Sequence, residues 1–194
     1  MNGIGISDSG GVAVLEKLLK ECLEAGKNNE FIIVLTSSDL IECLVARYQK
    51  YHIFSFRTLK FKNYVHRLYY ENSAFKTLIA QYGIDLVYNM SGTVQFFLEC
   101  PQLVKVHNLL FYSRKLDTCY RKDSRFILWI RQVILKRVVF KFMLDKSKYI
   151  EIQSKHVEEC LSEYINIKNK HIFIKSDVDV VDDSFSEPRN YDFS

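Results

Sequence analysis

The chain has 194 residues, of which 48% are hydrophobic, and this is enough to build the core of one α/β domain and too much for a disordered protein. The net charge of +4 permits attraction to anions but falls short of the concentrated basic surface of nucleic-acid-binding proteins, so we expect no nucleic-acid partner. The five cysteines are odd in number and never form a Cys-x-x-Cys pair, which argues against a disulfide framework or a zinc site.

No stretch approaches 18 uninterrupted apolar residues, and the first residues lack the basic and apolar regions of a signal peptide. The sequence therefore predicts a cytoplasmic protein that is soluble or peripheral, the latter at the inner face of the membrane.

Helical and strand-like segments alternate along the chain. Residues 1–7 supply at most a short first strand, and an amphipathic helix starting at Val12 and closed by Gly26 follows it. Asp39 and Glu42 have the spacing of a capping box, and Ser154 can cap a later helix. The remaining apolar runs are rich in β-branched and aromatic residues and lack period-two alternation, as strands buried on both faces do: residues 31–35, 52–56, 84–88, 103–106, 149–152 and 172–174.

This alternation predicts an α/β fold with a Rossmann-like parallel sheet flanked by helices. We expect the domain to cover residues 1–175. The following residues 176–194 are acidic and polar, which is typical of a linker or tail.

The longest helical stretch spans residues 125–146 and carries basic residues near its middle. Arg131, Lys136 and Lys141 would be costly in the core of a bilayer, so this helix does not cross a membrane. Two interpretations stay open: a core helix with a basic outer side, or a surface that meets anionic lipid headgroups with snorkelling lysines.

Two positions are candidates for ligand binding. Gly10 and Gly11 follow the first β-like run, where a missing Cβ lets the backbone approach a ligand and the start of a helix offers unpaired amides, a combination suited to phosphate. A tight turn is the alternative. His107 ends a predicted strand, at the position where open α/β sheets bind ligands, and the alternative is a histidine satisfied by local backbone.

Four segments resemble the N-terminal domain of GT-B glycosyltransferases, in particular the retaining family 4 that includes glycogen synthases and sucrose synthases. They are SGGV at residues 9–12, YGIDLVYNMSG at 82–92, LVKVHN at 103–108, and YIEIQSKHVEECLSEY with KHIFIKSDVDV at 149–164 and 170–180. The chain departs from the family where Ser176 and Asp177 replace the usual Asn-Gly.

The resemblance implies transfer of a sugar, with retained anomeric configuration, from a nucleotide-sugar donor to a glycan or lipid-linked acceptor. It places Gly10 and Gly11 at the donor diphosphate and the catalytic His107 at the donor sugar. It further implies sugar or acceptor contacts for Asn108 and for the basic cluster that includes Arg114 and Lys115, which could equally be a solvated loop. No metal and no cofactor besides the donor is implied.

The family binds its donor largely through a second, C-terminal domain with a basic pair and two spaced glutamates, and nothing here matches it. We therefore expect this half to be inactive alone and to need a donor-binding domain from the same gene or a neighbouring chain. The alternatives are a non-catalytic acceptor-binding or membrane-docking subunit of a split glycosyltransferase, and a free-standing nucleotide-binding module.

Overall fold

The computed structural model describes residues 1–25, 29–107, 118 and 126–176, and its centre is a parallel sheet. Seven strands form it: β1 (Asn2–Gly3), β2 (Phe31–Thr36), β3 (Phe54–Leu59), β4 (Val87–Asn89), β5 (Gln102–Val106), β6 (Tyr149–Ile152) and β7 (His171–Ile174). Their order across the sheet is β3-β2-β1-β4-β5-β6-β7, and every strand pairing within the described ranges is parallel. The predicted α/β fold is confirmed.

Helices cover both faces of this sheet. Four of them are α1 (Ser9–Glu24), α2 (Asp39–Tyr48), α3 (Tyr64–Tyr82) and α5 (Lys155–Ser162). Between α3 and α5 lies α4, which consists of the α-helical segments Phe126–Trp129 and Leu135–Lys146 joined by the π-helical turn Ile130–Ile134. Helix α3 was not predicted from the sequence. None of the helices within the described ranges is both long enough and apolar enough to cross a bilayer.

Side-chain caps set most of the helix starts. The side chains of Asp8, Ser38, Asn63 and Ser154 each accept a hydrogen bond from a backbone N–H three residues on, at the starts of α1, α2, α3 and α5. The prediction for Ser154 is confirmed.

Two predicted boundaries were wrong. Helix α1 begins at Ser9 and not at Val12, because Asp8 caps it and the two glycines continue the helix despite their low propensity. The cap of α2 is Ser38 and not Asp39, because Ser38 has the extended backbone that a cap needs, while Asp39 is already helical. The predicted cap Gly26 lies outside the described residues.

The core is divided between the two faces. Helices α1 and α2 pack on one face through residues such as Leu15 and Ile41, against Ile33 and Leu35 of β2. On the other face, α3 packs against Val34 and Val87, and α4 and α5 pack against β5 and β6. Successive residues of β2 point to opposite faces of the sheet, and both faces are covered by helices. Side chains on both sides of such a strand are therefore mostly apolar, which explains the continuous apolar run in the sequence.

A single lysine closes the carboxyl end of α4. Lys170 Nζ donates to the carbonyl oxygens of Leu144, Asp145 and Ser147 at 2.7, 3.0 and 2.8 Å. The ammonium neutralises the negative end of the helix dipole and supplies a donor to these last carbonyls, of which that of Leu144 also accepts from the Ser147 amide at 3.1 Å. Partial burial lowers the pKa of Lys170, and the nearby Asp145 opposes that shift.

Candidate functional site

The strand order creates a crevice at the carboxyl edge of the sheet. The chain builds β1, β2 and β3 in one direction and then returns to place β4 on the other side of β1. Connections leaving the carboxyl ends of β1 and β4 therefore go to opposite faces, and ligands of such sheets bind at this switch point, which we call the crevice. Residues 4–8 and 90–96 form its two sides.

The amino terminus of α1 lies on the β1 side of this crevice. Gly10 and Gly11 occupy the first turn of α1 and not a turn before it, and neither has a positive φ. A Cβ on Gly11 would come within 3.0 Å of Ile6 Cγ2, and one on Gly10 within 3.3 Å of Asp8 Oδ1. Close packing of the β1–α1 connection against the helix is thus one reason for glycine here.

The anion-attracting end of α1 already holds a carboxylate. The Gly11 amide donates to Asp8 Oδ1 at 2.7 Å, and the Val12 amide donates to the Asp8 carbonyl oxygen at 3.1 Å. The amides of Ser9 and Gly10 have no hydrogen-bond partner within the part of the chain that the structure describes, and both residues are exposed. An anionic ligand at this helix end would meet these two amides and would compete with Asp8 for the third.

His107 lies at the same edge, immediately after β5. Its Nδ1 is 3.3 Å from the side-chain Nε2 of Gln153, which follows the neighbouring strand β6. This contact orients the imidazole ring at the carboxyl edge of the sheet. Strands β1 and β5 are separated by β4 alone, so their carboxyl ends are about 10 Å apart.

Arg67 of α3 is a charged side chain at the switch point that was not predicted from the sequence. Its Nη2 donates to the Ile4 carbonyl oxygen at 3.0 Å and to Ser91 Oγ at 3.4 Å, which links the segments leaving β1 and β4. Gly5, exposed and with a φ of 97°, lies directly against the guanidinium: a Cβ there would be 2.5 Å from Arg67 Nη1. The Gly5 amide donates to Thr36 Oγ1 at 3.0 Å, so the β1 segment is fixed on both sides.

A buried carboxylate holds this guanidinium in place. Glu71, one helical turn after Arg67, is 2% exposed and accepts from Arg67 Nε at 3.3 Å. It also accepts from Asn2 Nδ2 at 3.2 Å, and the same nitrogen donates to Asn89 Oδ1 at 3.1 Å. Polar residues on β1 and β4 therefore connect the sheet to the Arg67–Glu71 pair below the crevice.

Hydrogen bonds also order the segment after β4. Gln102 Oε1 accepts from Asn89 Nδ2 and from the Gln95 amide, both at 3.0 Å, and Gln102 Nε2 donates to the Gln95 carbonyl oxygen at 2.7 Å. The Gln95 side chain itself is 2% exposed, and neither polar atom of its amide has a hydrogen-bond partner among the described residues. The loop on this side of the crevice is therefore held by hydrogen bonds, and the Gln95 side-chain amide has a donor and an acceptor without partners in the described part of the chain.

A second buried ion pair lies on the opposite face of the sheet, away from α3. Lys105 Nζ is 2.6 Å from Glu151 Oε1, and the Tyr88 hydroxyl donates to the same oxygen at 2.9 Å. The three residues come from β5, β6 and β4, at positions where the sequence pattern predicted only buried apolar strands.

The structure brings together some of the predicted site residues. Gly10, Gly11 and His107 share the carboxyl edge of one sheet. Asn108, Arg114 and Lys115 lie outside the described residues, as do residues 177–194 of the predicted tail. Within the described ranges, no three His, Cys, Asp or Glu side chains are grouped closely enough to hold a metal ion.

The Arg67–Glu71 pair left one signal in the sequence, which is its spacing of four residues with opposite charge. That spacing is common on solvated helix faces and does not reveal contacts with Ile4 and Ser91. No family model, curated protein or solved structure gives a match to this chain. What the site can do therefore rests on its own chemistry.

Proposed function

We propose that this chain is the N-terminal, acceptor-side domain of a retaining glycosyltransferase of GT-B architecture. It would move a sugar from a nucleotide-sugar donor to a glycan or lipid-linked acceptor, together with a second domain that binds most of the donor. The observation that carries the proposal is the grouping of the α1 amino terminus, Arg67 and His107 around one crevice at the carboxyl edge of a parallel sheet.

The β1 side of the crevice suits a departing diphosphate. When the bond between sugar and phosphate breaks, negative charge builds on the diphosphate, and fixed N–H groups at a helix start stabilise it without reorganisation. The exposed amides of Ser9 and Gly10 would supply these donors, while Asp8 keeps the Gly11 amide in the absence of ligand. Arg67 Nη1, beside the exposed Gly5, adds a cation on the same side.

His107 suits a hydrogen-bonding role toward the sugar. Its contact with Gln153 orients the ring at the carboxyl edge, where it would hydrogen-bond to a sugar oxygen. His107 would therefore position the donor sugar while the diphosphate leaves toward α1.

The transfer reaction tests this function directly. The chain is combined with the donor-binding half encoded after it or beside it, and transfer of labelled sugar from a panel of nucleotide sugars to a membrane glycan extract is measured. We expect His107→Ala to slow transfer by about 100-fold, which is typical for one lost hydrogen-bond donor at a reacting centre. The matched control is His156→Ala, because the His156 side chain is 73% exposed on α5. Thermal unfolding of both variants checks that they fold.

Each alternative gives a different result. If the chain is required but His107→Ala leaves the rate unchanged, it is a non-catalytic subunit of a split enzyme. If the isolated chain binds a nucleoside diphosphate tightly in calorimetry, it is a free-standing nucleotide-binding module, since the proposal expects little or no heat. Absence of transfer from every nucleotide sugar contradicts the proposal.

A further inference from the structure

Helix α4 exposes an unusual amount of apolar surface. Of the sixteen large hydrophobic residues that are exposed among the described residues, eight are in α4. They are Phe126, Ile127, Leu128, Ile130, Leu135, Val138, Val139 and Phe142. A helix on the surface of a globular domain normally turns polar side chains outward, so this side of α4 is built for contact with something apolar.

The exposed residues form a continuous stripe in the second half of the helix. Leu135, Val138, Val139 and Phe142 are spaced three and four residues apart, and Val138 is 61% exposed. The opposite side of the same turns is anchored in the core through Phe140 and Leu144. The stripe is therefore held outward by the packing of α4 and is not a loosely attached segment.

Basic side chains flank the stripe. In a view along the helix axis, Leu135 and Phe142 point in nearly the same direction at about 100° per residue. The exposed Lys136 and Lys141 point about 110° away from that direction, one on each side. Lys146 lies over the ring of Phe142, with Nζ 5.4 Å from its centroid. Residues 126–146 contain five basic residues and one acidic residue, Asp145.

We infer that this side of α4 docks on a bilayer surface with anionic headgroups. An apolar stripe with a lysine on each side can enter the boundary between headgroups and acyl chains while the ammonium groups reach lipid phosphates. A second copy of the chain fits less well, because two-fold pairing of the same face would bring Lys136 and Lys141 of each copy against those of the other.

The docking surface lies close to the crevice. A Cβ on Gly92, in the segment after β4, would be 3.2 Å from Phe140 of α4, and the ring of Phe96 is 5.5 Å from that of Phe142. Docking would thus hold one side of the crevice near the membrane surface. The inference depends only on α4 and is independent of the proposed glycosyl transfer.

The protein contains its own probe for this contact. Trp129 is the single tryptophan of the chain and lies in α4, with its ring 5.6 Å from that of Phe126. The full chain is mixed with vesicles of pure phosphatidylglycerol or of pure phosphatidylcholine, and the bound fraction is measured by sedimentation together with Trp129 emission. We expect binding and a blue shift with phosphatidylglycerol, weaker binding with phosphatidylcholine, and release by salt.

Variants separate the apolar and the basic contributions. Val138→Glu should weaken binding to phosphatidylglycerol by about tenfold or more, because the lost burial of one valine alone accounts for that factor. Lys136→Glu with Lys141→Glu should weaken it by about 25-fold at low salt, at roughly fivefold for each lysine. The matched controls are Leu40→Glu and Leu86→Glu, which alter exposed apolar residues elsewhere and should leave binding unchanged.

Three outcomes would overturn the inference. The first is that phosphatidylglycerol vesicles fail to bind the folded chain, as judged by its circular dichroism. The second is that Leu40→Glu weakens binding as much as Val138→Glu. The third is self-association without lipid that buries Trp129 and is abolished by Val138→Glu, since a second copy would then be the partner of α4.

Discussion

Two ion pairs with the same separation allow a direct test of how burial sets the energy of a charge contact. Lys105 Nζ and Glu151 Oε1 are 2.6 Å apart, with side chains 4% and 7% exposed. Arg47 Nη1 and Glu16 Oε1 are also 2.6 Å apart, but their side chains are 60% and 24% exposed. At equal distance, the buried charges attract each other more strongly, because water screens them less. Removal of one partner is also more costly there, because the other charge stays buried without a counter-ion.

The perturbation is replacement of the cation by methionine, which keeps the length of the stem and removes the charge. Lys105→Met leaves the Glu151 carboxylate buried with the Tyr88 hydroxyl at 2.9 Å as a remaining donor. We expect a loss of about 3 kcal/mol, the lower end of the range for breaking a buried pair, because that hydroxyl offsets part of the cost. Arg47→Met should lose less than about 1 kcal/mol.

Urea unfolding followed by far-ultraviolet circular dichroism gives both free energies of unfolding. The double variant Lys105→Met with Glu151→Gln removes the stranded charge and should recover about 1 kcal/mol or more relative to Lys105→Met alone. The reasoning is refuted if Lys105→Met and Arg47→Met cost the same, or if the double variant is less stable than Lys105→Met.

Three further predictions concern the crevice, the amino terminus and α4. Gly5→Ala should cost about 2 kcal/mol or more in free energy of unfolding, because the residue has a φ of 97° and its new Cβ would collide with Arg67. The control is Gly83→Ala, which should cost only about 1 kcal/mol, because this residue has a φ of 58° but no atom lies near the new Cβ. Equal losses in the two variants would contradict the Arg67 contact. Burial lowers the pKa of the Met1 amino group from 8.0 to about 6, against an opposing effect of Cys22. Between about pH 6 and pH 8, the unfolded chain therefore binds more protons at this group than the folded chain does. The free energy of unfolding should therefore rise by about 2 kcal/mol from pH 6 to pH 8, and a rise that persists in N-terminally acetylated protein would assign it to another group. Lys170→Met removes the ammonium shared by three carbonyl oxygens at the end of α4, of which that of Leu144 keeps the Ser147 amide at 3.1 Å. The variant should cost about 2 kcal/mol in urea unfolding, while an unchanged midpoint would show that water replaces the ammonium.

The sequence alone determined the fold class, because its signals are local. Apolar runs without alternation predict strands buried on both faces, and the run at residues 31–35 appears as β2 with Ile33 and Val34 on opposite faces. The predicted runs at 52–56 and 84–88 appear, shifted by a few residues, as β3 and β4. Ser154 was predicted as a cap because a cap and the amide it binds are only three residues apart.

Helix α3 was missed because its inward side is not apolar throughout. Glu71, Phe75 and Leu78 follow one another at helical spacing and all three are buried, but the first carries a charge. A buried carboxylate is tolerated only with partners, and these come from Arg67 one turn away and from Asn2 at the start of the chain. The helical pattern therefore becomes apparent only when the distant partner is known.

Some features of the candidate site follow from the sequence, and others follow only from the tertiary structure. That Gly10, Gly11 and His107 share one edge follows from the sequence, since parallel strands all end at the same side of a sheet. That Asp8 occupies the Gly11 amide, and that Arg67 joins Ile4 to Ser91, were decided by tertiary structure alone. Strand order brings together residues that are 24 and 63 positions from Arg67, and no periodicity along a chain encodes which strands become neighbours.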